Sequence, residues 1–123
     1  SLHIPGHKMI RWDTDPQLLG IPYAYVGTFV GDIRKLEATA GIAPALNRDG
    51  LGPCLWLVAE HEGFRWLLLG YVGAEDRGIV ISADRPIDNG TRNCLIRLFS
   101  EIGISLAECP SNRPEKTLLG RDQ

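Results

Sequence analysis

"CLWLVAEHEGFRWLLLGYV", Cys54 to Val72, decides the fold. Two apolar runs flank "EHEG". Gly63 suits the left-handed position that closes a short hairpin loop. In the first run Leu55, Leu57 and Ala59 share one face, and Trp56 and Val58 the other. In the second, Phe64, Trp66 and Leu68 oppose Leu67, Leu69 and Tyr71. Both faces are largely apolar, so the strands are expected at the centre of a sheet. One face lies under helices and the other under further chain or a partner.

The flanks fill in the sheet. On the N-terminal side, residues 1–21 are read as mostly irregular, with a short strand at Met9–Trp12. "YAYVGTFV" (Tyr23–Val30) reads as a strand. Asp32 is a good N-cap and Gly41 a left-handed terminator, which predicts a short helix over Ile33–Ala40. "IAPALNRDGLGP" reads as a loop, because Pro44, Gly50, Gly52 and Pro53 break it.

On the C-terminal side, "EDRG" (Glu75–Gly78) is a turn and "IVISA" (Ile79–Ala83) a strand. Leu95, Leu98, Phe99 and Ile102 form a helical stripe over Thr91–Ile102, with Asp88 or Asn89 at its start and Gly103 at its end. A short strand over Ile104–Cys109 and a polar tail complete the chain. The order β-α-β-β-β-α-β predicts an α+β fold: a mostly antiparallel sheet of about five strands with two helices on one face.

Composition sets the functional bounds. The chain has 123 residues, 44% hydrophobic and 23% charged, with a formal net charge of -2. These values fit a single globular domain and lack the basic stripe of a nucleic-acid binder. The longest apolar stretch is interrupted by Glu60, His61, Glu62 and Arg65, so it is no membrane helix. No basic start precedes an apolar run, so no secretory signal is expected. Cys54, Cys94 and Cys109 are an odd set without paired spacing, which points to free thiols in a reducing cytoplasm. Only Lys8, Lys35 and Lys116 are lysines, and an arginine-rich chain with much Gly, Ala, Leu and Pro suits a GC-rich bacterial genome.

The candidate chemistry is sparse. His3 and His7 bracket Pro5 and Gly6, so they do not share a helical face for a metal. Met9 is read as a natural start and Ser1–Lys8 as vector-derived, leaving residues 9–123 as one domain. His61, between Glu60 and Glu62, could act as a general base, but it is read as an exposed turn residue. Asp13 and Asp15 are too few for a calcium loop. "VGTFVGD" (Val26–Asp32) lacks the Lys-Ser/Thr of a phosphate loop and carries Asp32 where an anion would sit. Cys94, in the first turn of the second helix, could be an activated thiol but is read as structural. No metal, cofactor or catalytic set is expected.

Binding therefore ranks ahead of catalysis. The first expectation is a protein-binding protein. Its acidic loops "AEHEG", "GAEDRG" and "ADRPID" would steer and dock a basic partner, with Trp56, Trp66, Tyr71, Glu60, Glu62 and Asp76 as contact residues. Small acidic proteins of this loose class include bacterial toxin-neutralising immunity proteins; the analogy rests on class alone, without a shared motif. A homodimer covering the second sheet face belongs to the same expectation. The alternatives are a small-molecule module with Trp56, Trp66, Tyr23, Tyr25 and Tyr71 lining a pocket, and a small enzyme using Cys94 or His61. No nucleic acid or membrane partner is expected.

Overall fold

The computed structural model describes residues 10–74, 78–105 and 107–109. It is an α+β fold, built on a mostly antiparallel sheet with two short helical elements. Six strands are described: β1 (Arg11–Asp13), β2 (Ala24–Phe29), β3 (Ala45–Asp49), β4 (Gly52–His61), β5 (Phe64–Tyr71) and β6 (Ile79–Ala83). They pair in the order β1-β4-β5-β6-β2, and β3 also pairs with β4. β4 has ten residues because it serves three neighbours. Its first half pairs with β3 and its last residues with β1 along one margin, while β5 runs along the other.

The alternation read from the two apolar runs sets the layers. Ala59 opposes Trp66 and Leu57 opposes Leu68, so these side chains share the core face. Ile81 and Ala83 of β6 continue it. Helix α2 (Asn89–Ile102) lays Cys94, Leu95, Leu98, Phe99 and Ile102 onto this face. The Asp88 carboxylate accepts from the Thr91 N–H at 2.8 Å and starts the helix, and Gly103 ends it in the left-handed conformation. Helix α1 (Glu37–Ala40) is preceded by one 3-10 turn (Ile33–Leu36), capped by Asp32, that buries Ile33 and Leu36. Gly70 makes this approach possible, since a Cβ there would stand 2.8 Å from Ile33 Cγ2.

The second face is covered in part from within the chain, with Leu67, Leu69, Tyr71 and Val80 left half-buried. Trp56 and Val58 are buried at 2% and 0% exposure. Residues 14–23 carry the chain from β1 at one margin to β2 at the other. Tyr23, on this crossing, donates to the Leu18 carbonyl and lies within electrostatic range of Asp84, Arg65 and Glu60 on the second face. Trp56 and Val58 thus need no partner to shield them.

Several local expectations are revised. "ALNRD" is a strand, not part of a loop: it has little apolar alternation of its own and is ordered by pairing with β4. The breakers Pro44, Gly50, Gly52 and Pro53 only bracket it. The segment expected as a last strand makes a single bridge, Phe29 to Glu108, with bonds from Val30 N–H to the Ala107 carbonyl and from Cys109 N–H to the Thr28 carbonyl. Helix α2 starts at Asn89, so Cys94 sits in its second turn rather than its first. The "EHEG" loop is tighter than read. His61 pairs with Phe64, leaving only Glu62 and Gly63 at positive φ (54° and 82°), as a type I′ turn requires.

Candidate functional site

The β4–β5 hairpin end gathers most of the polar residues singled out above. Arg11, Glu60, His61, Glu62, Gly63, Phe64 and Arg65 line a cleft of 340 Å³. His61 is 2% exposed, which corrects its reading as an exposed turn residue: it is the last residue of β4, on the core face. Glu60 and Arg65 oppose each other across the strands and pair at 3.0 Å. At the tip, Glu62 pairs with Arg97 of α2 at 2.7 Å, and the same guanidinium donates to Cys94 Sγ at 3.2 Å. Arg85 donates to the Gly63 carbonyl, pairs with Asp84 and lies 4.0 Å from the Phe64 ring centroid. Phe64 in turn stacks on Trp66 at 5.2 Å. The acidic residues here are thus matched by arginines of the same chain.

The other expected contact residues do not converge there. Trp56 and Trp66 are both buried and project from opposite faces of the sheet. Tyr71 lies at the far end of β5, where its hydroxyl donates to Asp49 Oδ2 at 2.8 Å. Burial, and then this bond, push the Tyr71 hydroxyl up to about 12. Asp76 lies outside the described residues. Tyr25 is exposed on the edge strand β2, its hydroxyl bonded to Thr28.

The feature the sequence reading missed is the outer edge of β3. Its backbone direction follows from one bond. Val72 N–H donates to the Pro53 carbonyl at 3.0 Å, so residue 53 points its polar groups away from β3. Pro53 opposes Arg48, which makes this a non-bonded pair of the β3–β4 ladder. Asp49, Asn47 and Ala45 therefore bond to β4, and Leu46 and Arg48 turn their N–H and C=O groups outward. Among the described residues no strand pairs with that edge. Beside it stand the two most exposed large hydrophobic residues, Leu46 at 70% and Leu51 at 82%. The turn is Gly50-Leu51, closed by Asp49 opposite Gly52, and the Asp49 carboxylate accepts from the Leu51 N–H at 2.8 Å.

No group of three or more His, Cys, Asp or Glu among the described residues could hold a metal ion. No described helix is long and apolar enough to cross a membrane. No protein-family model, curated protein or solved structure matches the chain.

Proposed function

We propose that this is a binding protein that works through protein–protein contact, taking a partner strand on the outer edge of β3. The observation that carries this reading is the unpaired β3 edge with Leu46 and Leu51 exposed beside it. An open edge offers main-chain donors and acceptors to an added strand, and adjacent apolar side chains supply the contact area. The opposite margin differs: residues 107–109 already bond to β2.

Docking of a basic toxin on the acidic loops, as in an immunity protein, is the less favoured form of the same reading. Glu60 and Glu62 already hold Arg65 and Arg97, so a basic partner would have to displace those arginines. The three free cysteines, with Cys54 and Cys94 buried, support a reducing cytoplasm as the working compartment.

The test is capture from the native host with mass spectrometry, using the parent chain and two edge variants, Leu46→Lys and Arg48→Pro. Both edge positions are exposed, and Arg48 N–H points away from β4, so neither variant touches the core. A stoichiometric partner is expected with the parent and with Glu60→Gln, and is lost with both edge variants. Capture that survives the edge variants, or capture of neither a host protein nor a second copy of the chain, overturns the reading.

A further inference from the structure

We infer that the strand added at the β3 edge is β3 of a second copy of this chain, paired antiparallel about Asn47. This rests on the edge-binding reading above and names its partner.

The argument is one of register. Only Leu46 and Arg48 of β3 point their backbone groups outward. In an antiparallel ladder such residues bond in opposed pairs, and opposed residues share a face. A two-fold arrangement must therefore be centred on a residue, and β3 allows three central choices. Centring on Arg48 places two guanidinium groups directly opposite each other. Centring on Leu46 leaves the outer bonds to Pro44, whose nitrogen carries no hydrogen. Centring on Asn47 opposes Leu46 with Arg48 of the second copy, and Arg48 with its Leu46. That pairing satisfies every outward N–H and C=O of Leu46 and Arg48 with four main-chain bonds.

The side chains agree with this register. Leu46, 70% exposed in the single chain, comes under the aliphatic stem of Arg48 from the other copy, while the guanidinium stays in water. The two Asn47 amides meet on the axis as a non-bonded pair. Each carries both a donor and an acceptor, so two identical groups complement one another. Asp49 falls opposite Ala45 and faces no like charge. Interfaces of this kind are isologous, which suits closed two-fold dimers.

The experiment combines light scattering with thiol trapping. The parent chain is expected to be a dimer, and Leu46→Lys should raise its dissociation constant at least about tenfold, with an unchanged circular dichroism spectrum. Non-bonded antiparallel pairs bring Cβ atoms close enough for a disulfide. Asn47→Cys should therefore oxidise to a dimer linked at position 47, whereas Ala45→Cys and the parent should not. A parent that stays monomeric, a dimer insensitive to Leu46→Lys, or an Asn47→Cys chain that stays unlinked overturns the proposal. A monomer whose captured host partner is still lost with Leu46→Lys overturns self-pairing alone and leaves edge binding standing.

Discussion

Arg97 of helix α2 holds the Glu62 carboxylate at 2.7 Å, which ties the tip of the β4–β5 hairpin to the helix that covers the core. Glu62 is the one described residue other than glycine at positive φ, so this contact acts where the backbone is least at ease. Arg97→Gln is expected to lower Tm at low ionic strength. Because Arg97 is exposed, the gap from the parent should narrow as salt is raised. Thermal melts at two salt concentrations check this, and a gap that does not change with salt counts against an electrostatic tie.

Gly70 on β5 lets Ile33 approach the sheet. Gly70→Ala should force the 3-10 turn before α1 away from β5, at a cost of about 1–3 kcal/mol, the usual range for overpacking a close contact. Denaturant unfolding gives the value. Gly20→Ala, with nothing within 4 Å of the added carbon, is the control expected to leave stability nearly unchanged.

Tyr71 links stability to alkaline pH. Its ordinary value is 10.0 and burial with the Asp49 bond raises it to about 12. The unfolded chain therefore loses this proton first. The contribution is fully present below pH 10 and is lost as pH rises through about 12. Unfolding free energy should decline over that window and decline less in Tyr71→Phe. Burial raises the Tyr23 hydroxyl as well, so absorbance titration of the phenolates should show late ionisation, and the component at about 12 that disappears in Tyr71→Phe is assigned to Tyr71.

Asp88 links stability to acidic pH in the opposite sense. The Thr91 backbone N–H and hydroxyl hold its carboxyl below the ordinary value of 3.8. The folded state thus binds this proton less readily than the unfolded chain. The stabilisation is present above the unfolded value and is lost as pH falls through the folded one. Asp88→Ala should lower Tm at neutral pH and show a smaller further fall on acidification, as followed by helix circular dichroism.

The strands that alternate apolar residues on a regular period were legible in the sequence. β4, β5 and β6 carry their own pattern, and the stripe Leu95, Leu98, Phe99 and Ile102 carries that of α2. β3 was not legible, because four of its five residues are exposed and its order comes from a neighbour. His61 was misread for a related reason. One residue of turn length decides whether it points into the core or outward, and sequence alone does not fix that register. The hairpin-end arginines were hidden too. Arg85 and Arg97 lie 22 and 35 residues from the groups they hold at the turn, and no spacing rule reports such a pairing.

The bond from Cys109 N–H to the Thr28 carbonyl, with its neighbour from Val30 to Ala107, has a further consequence at the scale of assemblies. A filament grown by strand addition needs an acceptor margin and a donor margin on every subunit. Here the backbone of residues 107–109 takes up the Thr28 carbonyl and the Val30 N–H at one end of β2. Loss of that short pairing would expose those groups and give the sheet another place for an added strand.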